Sequence, residues 1–191
     1  MSTDQTDAMD FLLTRRSRPG KTLAAPAPSR EALGPILEAG LRVPDHGKLE
    51  PWRLIVLETA ACARIGEALV GIGGAEGVEE DKIEKERWLW SRAPLVVVVV
   101  ASPVASEKIP AIEQTYSAGA VGLSLVNAAL ASGWGANWLT AWPAYSAGVA
   151  EVLGLEDGES VAAFIHIGTE SVAPPERPRP DMDAKVTWHA A

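Results

Sequence analysis

The spacing of apolar residues along the chain predicts an alternation of helices and strands. Apolar residues at helical spacing predict a helix that Ser29 caps and that continues through Leu41, and a long helix over Ile112–Gly133. Unbroken apolar or β-branched runs predict strands, namely Trp52–Leu57, Leu95–Ala101, Ala136–Thr140 and Ser160–Ile167. This order predicts an α/β layered fold with a mixed central sheet flanked by helices.

The long helix is apolar on nearly all of its sides. Tyr116, Leu123 and Leu130 recur at helical spacing, and Gly119 and Gly122 leave room for another helix to approach closely. A helix of this kind belongs in the protein core or in a dimer interface.

The region before the second strand is predicted to hold two further helices. Thr59 is expected to cap the first, and the second, Val78–Arg92, is strongly charged, as expected for an exposed face. Trp88 and Trp90 are its exceptions, and we expect them to cover a pocket or a partner. The glycines of Gly71–Gly77 follow a helix and not a strand, so they predict a flexible connection and not a dinucleotide-binding loop.

The loop Val43–Pro51 is stiff and polar. Pro44 and Pro51 fix the backbone near its two ends. Between them the chain offers charge, a titratable ring and backbone freedom, in Asp45, His46, Gly47, Lys48 and Glu50. Such a loop beside a buried strand suits ligand binding. An ordinary solvated surface turn is the alternative interpretation.

A basic run follows the short N-terminal helix, which is predicted to begin at Thr6 or Asp7. The segment Thr14–Lys21 holds four cations and the Ser17 hydroxyl within an acidic protein, the cations being Arg15, Arg16, Arg18 and Lys21. Clustered guanidinium groups suit a phosphate because their planar donors bind it bidentately. The same cations also complement the negative end of a helix dipole, and both interpretations stay open.

Composition and charge argue against some classes of binding partner and predict where the protein is found. The 191 residues are 47% hydrophobic, and the net charge of −8 argues against nucleic acid and anionic membranes as partners. No signal-peptide pattern and no uninterrupted membrane-spanning segment is present. We therefore expect a soluble cytoplasmic protein, with residues 1–191 forming a single domain and residues 171–191 a proline-rich C-terminal arm. Such an arm has few local partners and is expected to reach another subunit.

Several kinds of chemistry lack their motifs. The three histidines show no metal-ligand spacing, Cys62 has no evident base partner, and no G-x-S-x-G motif occurs. The remaining features are a phosphate-suited basic run, a stiff polar loop and tryptophans such as Trp138 that are suited to cover a flat ring. Together they favour a phosphorylated aromatic cofactor.

Six motifs, in order along the chain, add a resemblance. They are RRS (Arg15–Ser17), RVPDHG…PW (Arg42–Trp52), AP before the valine strand (Ala93–Val100), EQTYSAGA (Glu113–Ala120), GWGANW (Gly133–Trp138) and FIHIGT (Phe164–Thr169). Each is weak alone, but their order and spacing together are specific. In them the chain resembles the nitroreductase family of FMN-dependent flavoproteins, particularly its small YdjA-like branch.

The resemblance implies an α+β fold, an intertwined homodimer and FMN at the subunit interface. The implied FMN residues are Arg15, Arg16 and Ser17 at the phosphate and ribityl chain, Arg42 and His46 from the other subunit, Trp138, Leu139 and Thr140 along the isoalloxazine ring, and Gly168 and Thr169 closing the site. Arg177 or Arg179 resembles the family's C-terminal phosphate-binding cation. Which of Arg18, Lys21, Arg177 and Arg179 completes the phosphate site stays open. Leu139 departs from the family because relatives often carry a polar side chain there.

The implied reaction is a ping-pong hydride transfer. NAD(P)H reduces FMN, leaves, and is replaced by a small aromatic oxidant such as a nitroaromatic or a quinone; the sequence does not choose NADH over NADPH. His46 is the candidate near the pocket whose charge changes near neutral pH, with a structural loop hydrogen bond as the alternative. Two other functions stay open: an FMN-binding storage or sensing protein without turnover, and a flavin-dependent dehalogenase or flavin-fragmenting enzyme.

Overall fold

A computed structural model describes residues 3–190, with side chains from residue 7 onward. Its helices are α1 Thr3–Thr14, α2 Arg30–Gly40, α3 Thr59–Ala75, α4 Glu80–Arg92, α5 Ala111–Ala131, α6 Ala147–Val152 and α7 Met182–Lys185. Its strands are β1 Leu23–Ala24, β2 Trp52–Glu58, β3 Leu95–Ala101, β4 Gly135–Leu139 and β5 Ser160–Glu170. The α+β class with a layered sheet is confirmed. Helix α1 begins at Thr3, so the predicted start at Thr6 or Asp7 is wrong.

The sheet is antiparallel at every pairing in the described residues, which corrects the prediction of a mixed sheet. β5 pairs with β1, β3 and β4, and β3 pairs with β2. Helices α3 and α4 pack against each other and return the chain to the end of the sheet where β2 finished, so β3 runs back beside β2. Helix α5 connects β3 to β4. These two strands run in the same direction, but they do not pair with each other because β5 lies between them.

Strand β3 divides the core into two layers. Val97 and Val99 lie with residues of α2 and α5, whereas Val96, Val98 and Val100 lie with residues of α3 and α4. All five valines are fully buried, which confirms the prediction of a central strand buried on both faces. Strand β2 is less buried than β3, because within the described residues it lies at the edge of the sheet and pairs with β3 alone. It is only half-buried, so the prediction of a buried strand after the polar loop is wrong.

The helical hairpin of α3 and α4 corrects three further predictions. The glycines after residue 70 continue α3 to Ala75, because Gly73 admits the Ile83 side chain; a Cβ at Gly73 would lie 2.6 Å from Ile83 Cγ1. Thr59 is the first helical residue, and its hydroxyl donates to the Pro94 carbonyl, 2.9 Å away, so it is not the cap. Trp90 is buried in the core and therefore covers neither a pocket nor a partner. Trp88 is exposed, and its role stays a prediction.

Helix α5 is apolar on two sides that have different surroundings. One side carries Leu125 at the close contact with Gly40 of α2, and Gly122 at the contact with the Trp138 ring. The other side leaves Ile112, Tyr116 and Leu123 exposed. The predicted burial is therefore confirmed for the inner side only. Across residues 3–190, no helix combines the length and the apolar character needed to cross a membrane.

Candidate functional site

The RRS motif follows α1 and forms a cluster of guanidinium groups. Arg15 Nη2 donates a hydrogen bond to Ser17 Oγ at 2.9 Å, and Arg16 Nη1 donates to the Ser17 carbonyl at 3.4 Å. The Nε atoms of both arginines are buried without a hydrogen-bond partner in the described part of the chain. Neither side chain forms an ion pair with a described carboxylate. In the described residues, the sequence therefore places two positive charges here without a carboxylate partner, and two buried Nε donors without an acceptor.

The C-terminal arm adds a third guanidinium group. Arg179 Nη2 lies 3.5 Å from the Arg15 carbonyl oxygen and 2.8 Å from Glu176 Oε1. Burial, followed by the charges of Arg179, Arg16 and Arg18, lowers the pKa of Arg15. A bound dianion would relieve this mutual repulsion, so the cluster fits a phosphate group.

Arg18 has a different role from its neighbours. Its Nε lies 2.9 Å from Glu170 Oε2, and its backbone N–H donates to the Ala136 carbonyl at 2.8 Å. Arg18 thus ties the basic run to β4 and β5. It lines a cavity of about 280 Å³ together with Arg15, Arg16 and Glu170. Glu170 is not among the residues predicted for the site, although an acid directly after the FIHIGT motif was a signal for it in the sequence.

The two large residues at the end of β4 point to opposite faces of the sheet. A Cβ at Gly122 would lie 2.6 Å from the Trp138 ring, so that ring packs on α5. Leu139 and Leu89 both converge on Gly20, 3.1 and 3.3 Å from the position of an added Cβ. The Leu139 side chain is therefore used in packing, and contact with a ligand would come from its backbone.

The strand end continues into a strained turn beside β5. Thr140 is half-buried and precedes Ala141, whose φ of 50° lies in the left-handed region. Gly168 is buried where a Cβ would meet the Ala24 carbonyl oxygen at 2.8 Å. Thr169 uses its hydroxyl to donate to the Pro26 carbonyl at 2.7 Å. Gly168 and Thr169 lie beside the Arg18–Glu170 pair. Thr140 lies past the other end of β4, because Gly135 pairs with Gly168 and Leu139 pairs with Phe164.

The polar loop after α2 is held by its own hydrogen bonds. Asp45 accepts from the backbone N–H groups of Leu49 at 3.2 Å and Glu50 at 2.8 Å. His46 Nδ1 lies 2.7 Å from Glu113 Oε2, near the start of α5. Arg42 is exposed at the beginning of this loop.

Within one chain the structure does not bring the loop to the arginine cluster. Glu113, beside His46, and Leu130, which lines the arginine cavity, are about 25 Å apart along α5 at ~1.5 Å per residue. His46 therefore lies at one end of this helix, and Arg15, Arg16, Ser17 and Arg179 lie at the other. Arg42 lies between the two ends, because its N–H donates to the Ala39 carbonyl, which also accepts from Ser124 of α5. In the described residues, no three side chains of His, Cys, Asp or Glu are grouped to hold a metal ion.

The layered α+β sheet with guanidinium groups at the end of one helix defines a class of protein suited to hold a phosphorylated ligand. Residues 12–169 match the sequence profile of the nitroreductase family. The "Putative NAD(P)H nitroreductase YdjA" of Escherichia coli K12 is 36% identical over 163 residues, which are 85% of this chain and 88% of that protein. A "Putative NAD(P)H nitroreductase" of Haemophilus influenzae is 37% identical over 165 residues, with the same coverage. The chain therefore belongs to the nitroreductase family.

Solved structures give the same fold. A nitroreductase-like family protein from Bacillus cereus has a TM-score of 0.82 at 20% identity, covering 94% of both chains. A nitroreductase from Desulfovibrio desulfuricans, crystallised in complex with FMN, has a TM-score of 0.73 at 21% identity, covering 96% of this chain and 97% of that one. The resemblance to the YdjA-like branch of the family is confirmed.

Proposed function

We propose that the chain is an FMN-dependent oxidoreductase that takes hydride from NAD(P)H and reduces a nitroaromatic, quinone or similar acceptor by a ping-pong mechanism. Two similar proteins carry the name NAD(P)H nitroreductase, and one structure of the same fold holds FMN. The observation that carries the proposal is the arginine cluster, because Arg15 and Arg16 have charge and donors that no described carboxylate matches.

The protein's own residues would bind and orient the cofactor. Arg15, Arg16 and Arg179 would hold the FMN phosphate, and the Ser17 hydroxyl would lie at the ribityl end. The backbone from Trp138 to Thr140 would run along the isoalloxazine ring, with Gly168 and Thr169 closing the site. When bound, FMN supplies the two-electron chemistry, and the protein positions it and adjusts its electronics.

The complete site would require two subunits. His46 lies about 25 Å along α5 from the arginine cluster, so it would reach the FMN held by another subunit, together with Arg42 at the start of the same loop. The exposed apolar residues of α5 and α1 supply a surface for such a homodimer, namely Ile112, Tyr116, Leu123, Met9, Leu12 and Leu13. Residues 1–191 would act as one domain, with residues 171–191 as the arm that delivers Arg179.

The direct test is the absorption spectrum of the purified protein, followed by anaerobic addition of NADH or NADPH. A flavin spectrum that bleaches is the expected result, and the more effective nucleotide identifies the donor. A flavin that stays oxidised would instead favour storage or sensing. Protein that takes up no FMN after incubation would overturn the proposal. Product analysis with a nitroaromatic and with a halogenated aromatic then separates reduction from dehalogenation.

A further inference from the structure

Glu86 is a largely buried residue whose carboxyl group has no counter-charge in the described part of the chain. It is 6% exposed, on the inward face of α4. Within the described residues its side chain takes part in no hydrogen bond and no ion pair. Gln114 is covered to a similar degree and does find partners, since it bonds both the N–H and the carbonyl of Val104 at 2.8 Å. Polar groups on buried residues are mostly hydrogen-bonded, so the lack of a described partner for Glu86 requires an explanation.

Glu159 shows how the same fold treats a carboxyl group that serves the structure. Its side chain is also 6% exposed, but Arg53 Nη2 lies 2.6 Å away, and Ser102 Oγ donates to it at 2.8 Å. Several interactions lower the pKa of Glu159 to about 2, and the hydrogen bond from Arg53 contributes most. Burial, in contrast, raises the pKa of Glu86. Both side chains are largely enclosed, and only Glu159 has been given a counter-charge.

The contacts on either side of Glu86 show what it faces. One turn before it, the Lys82 carbonyl accepts from Trp142 Nε1 at 3.4 Å. One turn after it, the Trp90 ring meets the ring of Phe164, the strand partner of Leu139, at 4.9 Å between centroids. Positions four residues apart share a helix face.

Helix α4 therefore runs alongside the end of β4 and the turn that follows it. Because Lys82 lies beside Trp142 and Leu89 meets Leu139 at Gly20, the intervening Glu86 lies on the part of α4 next to the segment that joins Leu139 to Trp142. This is the segment that the proposed function places along the isoalloxazine ring.

We propose that Glu86 is a cofactor-binding residue, which as a neutral carboxylic acid hydrogen-bonds the polar edge of the isoalloxazine ring. The assignment rests on the proposed function, because it requires FMN in the site. The polar edge of a flavin carries an imide N–H between two carbonyl oxygens. A neutral carboxylic acid offers one donor and one acceptor side by side, and these match a neighbouring N–H and carbonyl of the imide. Binding would satisfy both Glu86 oxygens without burying a negative charge.

The test compares two substitutions that differ in hydrogen bonding. Glu86→Gln keeps a donor and an acceptor, and Glu86→Leu removes both. FMN is removed from each protein and titrated back, and the dissociation constant is read from quenching of flavin fluorescence. We expect Glu86→Gln to stay within about threefold of the wild type and Glu86→Leu to bind FMN at least about tenfold more weakly. Glu80→Leu, the same change at an exposed position of α4, serves as the control with unchanged affinity.

A second measurement needs no cofactor. Thermal unfolding of the FMN-free protein should show a higher Tm for Glu86→Leu than for the wild type, because an unpartnered buried carboxyl is replaced by an apolar group. A lower Tm would mean that Glu86 stabilises the protein itself, and would overturn the assignment.

The remaining outcomes separate this assignment from the proposed function. Wild-type protein that binds FMN while Glu86→Leu binds it equally well would overturn the assignment alone. Equal weakening by Gln and Leu would show that the ionised carboxylate is required, and would overturn the neutral-acid form. Wild-type protein that takes up no FMN would overturn the proposed function and this assignment together.

Discussion

The two ends of helix α5 carry the two parts of the proposed FMN site, and they differ in how far the chain satisfies its own polar groups. Near the last turn, Arg15 and Arg16 keep buried Nε atoms without partners. Near the first turn, the Asp45 carboxylate accepts two backbone N–H groups, and Ser117 of α5 donates to the Pro44 carbonyl at 2.8 Å. One region needs a ligand to complete its hydrogen bonding, and the other is complete without one.

This difference indicates a division of roles. A loop that is fixed by its own hydrogen bonds can project into a neighbouring subunit with its shape already set. An arginine cluster with charge repulsion gains stability when an anion binds. The comparison predicts that changes in the cluster act mainly on FMN binding, and that changes in the loop act mainly on folding.

The largest expected effect is the loss of both unmatched guanidinium groups. Arg15→Ala with Arg16→Ala should weaken FMN binding by about 10²–10⁴-fold, since each charged hydrogen bond contributes ~1.5–3 kcal/mol. The FMN-free variant should unfold at a temperature no lower than the wild type, because charge repulsion is relieved. Arg87→Ala is the control, since Arg87 pairs with Glu84 on an exposed surface. Unchanged FMN content after purification would contradict the phosphate assignment.

The second prediction tests whether the two ends belong to one site. In a mixed dimer of Arg15→Ala/Arg16→Ala chains with Arg42→Ala/His46→Ala chains, a site shared between subunits leaves one of the two sites intact. FMN binding should then recover to about half of the wild-type stoichiometry, measured on the purified, differently tagged heterodimer. A site built within one chain would give no recovery, because every chain would carry a defect.

The sequence predicted the parts of the fold whose signals are local. The valine run of β3 and the cap at Ser29, which accepts from the Ala32 N–H at 3.3 Å, depend on neighbours in sequence. The role of Gly73 was predicted wrongly because a glycine is needed there to make room for the Ile83 side chain, which lies on another helix. The antiparallel order depends on how α3 and α4 return the chain, which spacing alone does not reveal.

The candidate site shows the same limit. The RRS cluster could be predicted from the sequence because its cations are consecutive. The contact of Arg179 with Arg15 depends on the path of the C-terminal arm in three dimensions. Glu86 lies within a charged helix, and nothing in that pattern distinguishes a buried acid from its exposed neighbours. Its isolation follows from the burial of one helix face, which only the tertiary packing determines.

The third prediction addresses the loop through Asp45. Asp45→Ala should lower the free energy of unfolding by about 2 kcal/mol, because two backbone N–H groups lose their acceptor. Lys48 and Glu50 hold positive φ angles of 53° and 48°, and these hydrogen bonds help to keep them there. Urea unfolding of the FMN-free protein measures the effect. Asp45→Asn, which keeps one acceptor oxygen, should cost about half as much; equal stability of all three proteins would show that other contacts hold the loop.

The smallest expected effect concerns His46, where loop structure and ligand binding can be separated. The His46 and Glu113 side chains are 61% and 43% exposed, so their pairing should contribute less than ~1 kcal/mol to folding. His46→Ala removes both the ring and the pairing, whereas Glu113→Ala removes the pairing and keeps the ring. If the ring contacts the cofactor of the other subunit, His46→Ala should weaken FMN binding about 2–10-fold, the contribution of one hydrogen bond, and Glu113→Ala should leave it nearly unchanged. Equal weakening by both variants would mean that the pairing only orients the loop, and His46 would then belong with Asp45 as a structural residue.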